Sequence, residues 1–302
     1  MPSLTLPKDK AVRDPSDLAR GLEQLGYITD PALATVAFLA VNLAKPLLLE
    51  GHAGLGKTEV AKSLATFLGT RLIRLQCYEG LDVNSAVYEW NYQKQLLAIK
   101  IEERTGQSVE EKEKHVFSRE FLLQRPLLQA IEEKETSPVL LIDEVDRADE
   151  AFEAFLLELL SDFQISIPEL GTVKAKHLPL VVLTSNRSRE LGDALKRRCL
   201  YHWIDYPSAE KEMKIVAARL PGIAEDFERQ IVLFVQAVRR LNLMKAPGIA
   251  ETLDWAQALM SLGKARLDLE SVDSTLGCLS KSMEDVAKIK AAGIEKMLTE
   301  VG

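Results

Sequence analysis

The chain has 302 residues, which is long enough for two domains. Its residues are 47% hydrophobic and 27% charged, the composition of an ordinary globular protein. Its net charge of −7 argues against broad nucleic-acid affinity, because such affinity needs a clustered basic face. The first ten residues hold no apolar signal core and no apolar run approaches the roughly 18 residues of a membrane helix, so we expect a cytoplasmic protein.

Short apolar runs alternate with helical patterns through the first two thirds of the chain. Each run is almost continuously apolar, as in a parallel sheet that is covered on both faces. This alternation predicts an α/β fold with three layers. The predicted strands are Leu47–Glu50, Leu72–Gln76, Val139–Ile142, Leu180–Thr184 and Leu200–Ile204.

A glycine-rich loop follows the first predicted strand. It fits the pattern G-x-x-x-x-G-K-[ST] and precedes a helical segment, which is the context of a P-loop for nucleotide phosphates. Backbone N–H groups of such a loop form an anion site, the lysine reaches the β- and γ-phosphates, and the threonine hydroxyl can bind Mg²⁺. The nucleotide-binding residues predicted here are Gly51, His52, Ala53, Gly54, Leu55, Gly56, Lys57, Thr58 and Glu59.

About sixty residues separate the second and third predicted strands, more than a minimal α/β core needs. The charge-dense piece at 102–114 predicts either a solvated helix or a partly disordered loop. The aromatic piece at 88–92 is consistent either with core packing or with a contact surface.

Two adjacent acids, Asp143 and Glu144, end the third predicted strand. A carboxylate at the carboxyl end of a parallel strand lies where ligands bind in such folds. Downstream of a P-loop, Asp143 is expected to hold Mg²⁺ and Glu144 to act as general base toward the attacking water.

Polar residues also follow the fourth predicted strand and precede the fifth. Asn186 can hydrogen-bond the γ-phosphate or orient the water. The basic pair Arg197 and Arg198 is either a surface cluster or the source of an arginine that reaches a neighbouring subunit's nucleotide.

The strand signal stops after Tyr206, and the remainder predicts a small helical domain. We therefore expect an α/β domain at 1–206 and a helical domain at 207–302. The predicted helices are Ser208–Leu220, Glu225–Asn242, Glu251–Leu262 and Val272–Ala292.

The order of these motifs resembles that of AAA+ ATPases of the MoxR type. In that resemblance, residues 51–58 are the Walker A loop, 139–144 Walker B, Asn186 sensor 1, and Arg197–Arg198 the arginine-finger region, with Arg198 fitting the finger position better. The segment at about 164–176 resembles the hairpin before sensor 1, and the stretch at about 78–118 resembles an insert in helix 2.

The resemblance is closer to the CoxD-like subgroup, on the segments 74–82, 88–92 and 251–259. It implies a homo-oligomeric ring, usually hexameric, and a partner with a von Willebrand A domain. The implied client is a molybdenum-containing enzyme similar to carbon monoxide dehydrogenase. It also implies that adenine lies near Tyr27 and Ile28, between the core and the helical domain; ordinary N-terminal packing is the alternative for these two residues.

One position departs from the family pattern. Where the family has a sensor 2 arginine at the start of a lid helix, this chain has Ala250, and the candidate replacements are Lys245 and Arg239. The leading hypothesis is an ATP-hydrolysing chaperone or remodeller that uses ATP and Mg²⁺. The alternatives are a nucleotide-gated binding module with little turnover and a DNA-remodelling motor.

Overall fold

The computed structural model describes residues 3–8, 10–102 and 108–301. Its described helices are α1 Pro15–Gln24, α2 Pro31–Leu43, α3 Lys57–Leu68, α4 Val83–Val87, α5 Tyr92–Glu102, α6 Val109–Val116, α7 Pro126–Ile131, α8 Glu150–Asp162, α9 Asp193–Arg198, α10 Ala209–Arg219, α11 Glu225–Arg239, α12 Ile249–Ser261, α13 Leu269–Leu279, α14 Met283–Ala292 and α15 Ile294–Val301. Its described strands are β1 Leu47–Gly51, β2 Leu72–Gln76, β3 Tyr88–Trp90, β4 Leu122–Gln124, β5 Val139–Asp143, β6 Gln164–Ile167, β7 Gly171–Lys174, β8 Leu180–Ser185 and β9 Leu200–Ile204.

Five strands form one sheet in the order β2-β5-β8-β1-β9. The pairs β2–β5, β5–β8 and β8–β1 are parallel, which confirms the predicted α/β sheet. Every residue of β5 and β8 is buried, as expected for central strands covered on both faces. The carboxyl ends of β5, β8 and β1 therefore meet at one edge, at Asp143, Ser185 and Glu50.

Contacts divide the chain into two compact units. The first takes its described residues from Met1–Leu18, Pro31–Glu50 and Ala61–His202, and the second from Ala19–Asp30, Gly51–Val60 and Trp203–Gly302. The domain bounds 1–206 and 207–302 stay a prediction.

The stretch after β2, in the first unit, contains both helices and a small antiparallel sheet. Strands β3 and β4 pair there, with Trp90 opposite Leu122. Helix α6 begins with a capping box, since the Ser108 hydroxyl accepts from the Glu111 N–H and the Glu111 carboxylate accepts from the Ser108 N–H. Residues 103–107 of the predicted insert lie outside the described residues.

The aromatic piece at 88–92 is buried in part and exposed in part. The Trp90 side chain is buried, packing edge-on against Tyr88 and Phe117, whereas the Tyr92 side chain is exposed.

Farther along the first unit, β6 and β7 pair antiparallel around Gly171, whose φ of 80° suits a tight turn.

Helices α10 to α15 belong to the second unit and enclose their own core. The predicted apolar stripe of α11 supplies much of it, because Ile231, Phe234, Val235 and Val238 are fully buried. Trp255 of α12 packs against Phe234, and its indole N–H donates to the Thr275 hydroxyl at 2.7 Å.

The single helix predicted at Val272–Ala292 is wrong. The structure has α13 and α14 there, separated by extended residues at Ser280 and Ser282. The Ser282 hydroxyl caps α14 by accepting the Asp285 N–H, and a serine that caps a new helix competes with continuation of the previous one. The break positions the buried Asp285 carboxylate to accept the backbone N–H groups of Met244 and Lys245.

Candidate nucleotide site

The P-loop continues directly from β1 and runs from Gly51 to Thr58, in the second unit. Gly54 and Gly56 have φ values of 78° and 82°, which residues with a side chain adopt at a cost. Helix α3 begins at Lys57, so the amino-terminal turn of the helix directly follows the glycines of the loop. This strand, loop and helix together form the kind of backbone that binds phosphate.

The Lys57 ammonium folds back over its own loop. Its Nζ donates to the carbonyl oxygens of Gly51 at 2.8 Å and His52 at 2.7 Å, and the side chain is only 6% exposed. Because the cation is held beside the loop N–H groups, it adds positive charge where phosphates would lie. The neighbouring Leu55 is buried, whereas Ala53 is exposed.

The start of helix α12 contacts the P-loop within the second unit. The Ala250 N–H donates to the Gly54 carbonyl at 3.0 Å. A Cβ on Gly248 would lie 2.9 Å from the carbonyl oxygens of both Ala53 and Gly54, so this approach requires glycine. At the position where the resemblance places a sensor 2 arginine, the chain thus offers a backbone contact.

Arg239 is committed elsewhere in the same unit. Its guanidinium pairs with the fully buried Glu212 carboxylate, donates to the Pro247 carbonyl at 2.7 Å and lies over the Tyr206 ring. Lys245 has an exposed side chain. The buried pairing of Arg239 argues against its serving as the replacement for sensor 2.

Aromatic residues lie close to the loop. The His52 ring stacks on Tyr206 with centroids 5.2 Å apart and meets Trp203 edge-on at 5.7 Å. The Tyr27 ring lies 3.9 Å from the point where a Cβ on Gly56 would stand. Burial raises the pKa of Tyr27, and the carboxylates of Asp30 and Glu59 add to the rise, so its hydroxyl stays protonated. Tyr27 and the adjoining Ile28 are both half-buried.

The acidic residues belong to the first unit. The Asp143 carboxylate, at the end of β5, is almost fully buried and has a partner on each oxygen. Its Oδ1 accepts from the Thr184 hydroxyl at 2.6 Å, and its Oδ2 accepts from Nη2 and Nε of Arg74 at 2.6 and 3.1 Å. This carboxylate therefore already contacts a cation.

Glu144 adopts a left-handed backbone conformation, with φ 55° and ψ 49°. Non-glycine residues adopt it at a cost that surrounding contacts must offset. Here the Glu144 N–H donates to the Thr184 hydroxyl at 2.9 Å, so Thr184 fixes both acids.

Three side chains hold the Glu144 carboxylate. Its Oε1 accepts from Nδ2 of Asn186 at 3.2 Å, and its Oε2 accepts from Nε2 of Gln76 at 3.1 Å. The third partner is Arg147, whose Nε lies 2.9 Å from Oε2. The carboxylate is one third exposed, so it retains access to solvent.

The loop that carries Asn186 is fastened to the segment after Glu144. The buried Asp146 carboxylate accepts the backbone N–H groups of Asn186 at 3.2 Å and Ser188 at 2.8 Å, and also the Ser188 hydroxyl. Arg189 adds a second connection through the Ala148 carbonyl. Asp146 thus sets the distance between Asn186 and Glu144.

The arginine pair closes helix α9. Arg198 is exposed but oriented, because Nε donates to the Ser161 hydroxyl and Nη1 to the Ala194 carbonyl, both at 3.2 Å. Arg197 is also exposed and, in the part of the chain that the structure describes, donates no hydrogen bond from its side chain.

The donor chemistry of these groups fits a magnesium–nucleotide complex. Carboxylate and hydroxyl oxygens are the ligands Mg²⁺ prefers, and Asp143 in the first unit and Thr58 in the second each carry an oxygen of this kind. The Arg74 guanidinium contacts Asp143 Oδ2, which shows that this oxygen accepts a positively charged partner. Burial, with the Asp143 carboxylate adding, raises the pKa of the neighbouring Cys77 thiol to about 12, which favours the protonated thiol at neutral pH.

Several residues of this site were not predicted. Arg74 and Gln76 are two apart on β2, so they share a face, but their role depends on β2 lying beside β5. Arg147 follows Glu144 at a spacing of three, and Thr184 ends an apolar strand. The i,i+3 spacing was the available signal for Arg147.

The sequence profile of the AAA domain, dynein-related subfamily, matches residues 46–199, more than half of the chain. The chain belongs to this AAA family. The P-loop and the acids Asp143 and Glu144 fall within the matched region. No curated protein sequence matches the chain.

Solved structures with a similar fold include RuvB from Thermotoga maritima. The RuvB Holliday junction branch migration motor is 18% identical with a TM-score of 0.44, over 90% of this chain and 69% of that chain. A RuvB mutant is 18% identical with a TM-score of 0.47, over 86% of this chain and 67% of that chain. The chain covers 66 to 72% of the RuvB chains it matches, and the likeness concerns the fold alone. Among the described residues, no helix combines the length and apolar character needed to cross a bilayer.

Proposed function

We propose that this protein is a Mg-ATP-hydrolysing AAA+ chaperone or remodeller that acts on a partner protein. The observation that carries the proposal is the contact between Asn186 and Glu144, at 3.2 Å. A carboxylate held by an amide at the carboxyl edge of the sheet is equipped to orient water and accept its proton.

Different residues would bind the triphosphate, the metal ion and the adenine. The loop from Gly51 to Glu59 holds the triphosphate through backbone N–H groups, with Lys57 on the β- and γ-phosphates. Thr58 and Asp143 would hold Mg²⁺, which would neutralise phosphate charge. Tyr27 and Ile28 contact adenine; the position of Tyr27 beside Gly56 supports this.

Glu144 acts as the general base in this proposal. The Glu144 carboxylate accepts a proton from the attacking water, while Asn186 orients that water beside the γ-phosphate. Arg147 and Gln76 hold the carboxylate in place through Oε2, and Thr184 holds its backbone. A base fixed on both sides requires little reorganisation as the reaction proceeds.

Arg198 extends the site to a second subunit. Its exposed guanidinium, oriented by Ser161 and Ala194, is suited to stabilise charge on a neighbour's transferring phosphoryl group. The working assembly is then a homo-oligomeric ring, which we propose to be a hexamer.

The proposed client is a molybdenum-containing enzyme similar to carbon monoxide dehydrogenase, whose active site this protein helps to mature. The partner is a protein with a von Willebrand A domain. Support comes from the resemblance to MoxR-type and CoxD-like sequences at residues 74–82, 88–92 and 251–259. A molybdenum hydroxylase and an A-domain protein encoded beside this gene would strengthen the assignment. Their absence, together with unchanged metal content of the client without this protein, would contradict it.

A specific observation favours the second candidate, a nucleotide-gated binding module with little turnover. Ala250 stands at the sensor 2 position and Arg239 is held by Glu212, so the lid offers no arginine to the phosphates at either residue. Such a protein would signal through its bound nucleotide. A DNA motor remains the third candidate, and salt-dependent DNA binding would reveal it.

Phosphate release measured over a range of protein concentrations separates these functions. The variants are Glu144→Gln and, as a control, Glu158→Gln, which changes an exposed carboxylate on α8 in the same way. We expect Glu144→Gln to bind a fluorescent ATP derivative normally but to hydrolyse ATP about 10²–10⁴-fold more slowly, with the control unchanged. Nucleotide binding without hydrolysis at any concentration would support the second candidate. Absence of nucleotide binding would exclude both.

A further inference from the structure

Arg74 occupies the oxygen of Asp143 that a metal ion would need. Strand β2 pairs in parallel with β5, with Gln76 opposite Asp143. Arg74 lies two residues before Gln76 on the same strand, so both side chains are on the same face of the sheet. From there its guanidinium reaches Oδ2 with two nitrogens, at 2.6 and 3.1 Å.

The other carboxylate oxygen offers no free alternative. Oδ1 accepts a short hydrogen bond from Thr184, which in turn receives the Glu144 N–H. A cation that binds Asp143 in this arrangement must displace Arg74 from Oδ2 or share that oxygen with it. Sharing is unfavourable because it places two positive charges on one ligand atom.

The two partners differ in their freedom to move. The Asp143 side chain is 3% exposed, whereas the Arg74 side chain is 48% exposed. Gln76 accepts a hydrogen bond from Arg74 Nη2, which holds the guanidinium over the acid. Arg74 can therefore swing into water at modest cost, while Asp143 stays in place.

We infer that Arg74 is a competitor built into the chain for the metal ion at Asp143, and that it sets the metal concentration at which the nucleotide complex forms. The inference rests on the proposed function, since it takes Asp143 as the magnesium ligand. Arg74 tunes the metal affinity from strand β2, although it belongs neither to the P-loop nor to the acid pair. Arg74 leaves Oδ2 as the metal enters.

Removing the Arg74 charge should make metal binding easier. Mn²⁺ replaces Mg²⁺ at oxygen sites and its free form is counted by electron paramagnetic resonance, so titrating Mn²⁺ against the protein with ADP measures metal binding without turnover. For Arg74→Gln we expect the Mn²⁺ concentration at half-saturation to fall about three- to fivefold, the range of a partly exposed ion pair. Arg74→Lys keeps the charge and should stay near the parental value.

Arg71→Gln is the matched control. It removes the same charge three residues earlier, from an exposed arginine that pairs with Glu133 instead. We expect no change in its metal titration. Thermal unfolding of all variants shows that each is folded before the titrations are compared.

The possible results distinguish this inference from the proposed function. One outcome is that the parental protein binds ADP with Mn²⁺ while Arg74→Gln leaves the Mn²⁺ concentration at half-saturation unchanged or raises it. In that case Arg74 does not compete with the metal ion, and the proposed function stands. Weaker ADP binding by Arg74→Gln without metal would make Arg74 a phosphate contact and would also overturn the inference. If the parental protein binds no ADP with or without Mn²⁺, the proposed function itself fails.

Discussion

The side-chain amide of Asn186 donates a hydrogen bond to the Glu144 carboxylate, which connects the ends of two adjacent strands of one sheet. The Asp146 carboxylate also holds the loop that carries Asn186, because it accepts the backbone N–H groups of Asn186 and Ser188. The proposed base and the proposed water-orienting residue are thus fixed to each other independently of any ligand.

Asn186→Ala should slow ATP hydrolysis by about 10²-fold while leaving ATP affinity within about twofold. The loss reflects an orienting amide that acts in the transition state more than in the bound state. Single-turnover hydrolysis alongside equilibrium binding checks the split. The control is Asn42→Ala, an exposed asparagine whose amide donates to the Phe38 carbonyl in its own helix. A fall in affinity equal to the fall in rate would make Asn186 a simple binding residue.

Lys57→Ala should lower ATP affinity at least about tenfold, because the cation beside the β- and γ-phosphates is lost. Calorimetric titration measures the change. Lys62→Ala, an exposed lysine on the same helix, should bind as the parental protein does. Unchanged affinity in Lys57→Ala would remove the P-loop assignment.

Asp143→Asn should weaken nucleotide binding in the presence of Mg²⁺ and leave metal-free nucleotide binding nearly unchanged. The amide keeps the shape of the carboxylate but loses the negative charge that a hard cation requires. Titrating nucleotide with Mg²⁺ and then with a chelator separates the two effects. An equal loss under both conditions would show a structural role for Asp143 instead of metal binding.

Arg198→Ala should bind ATP almost normally and lose most turnover, since fingers of this kind contribute about 10³–10⁵ in phosphoryl transfer. Arg197→Ala should lose less, because that side chain is not oriented by Ser161 and Ala194.

Mixing subunits tests whether the site is shared. Arg198→Ala combined with Lys57→Ala should recover part of the activity, since some mixed interfaces hold an intact loop and an intact finger. Specific activity should also rise with protein concentration until assembly is complete. A monomer with concentration-independent turnover, or absent recovery despite proven mixing, would exclude a shared site.

Arg239→Ala should lower the free energy of unfolding by about 3–5 kcal/mol, because it leaves the fully buried Glu212 carboxylate without its charged partner. Denaturant unfolding followed by circular dichroism measures the loss. Lys264→Ala breaks a partly exposed pair with Asp268, which water screens, so its loss of stability should be much smaller. Similar losses in the two variants would mean that Glu212 finds another partner.

The sheet could be predicted from the sequence because its central strands are continuously apolar and end in polar residues. Leu72–Gln76 and Leu200–Ile204 were predicted with the bounds that the structure gives. The contact of Arg74 with Asp143 could not be predicted, since it depends on which strands are neighbours, and apolar runs carry no strand order. The division of α13 from α14 was missed because the Ser282 cap opposes an otherwise continuous helical pattern.

The hydrogen bond from the Ala250 amide to the Gly54 carbonyl joins the lid helix to the phosphate loop through backbone atoms alone. Because no side chain takes part, substitutions at residue 250 that keep the helix leave this bond in place. The amide proton of Ala250 is then a built-in reporter. Its exchange with solvent deuterium should slow when a nucleotide rigidifies the loop, so occupancy can be followed at a single backbone position without any label on the protein.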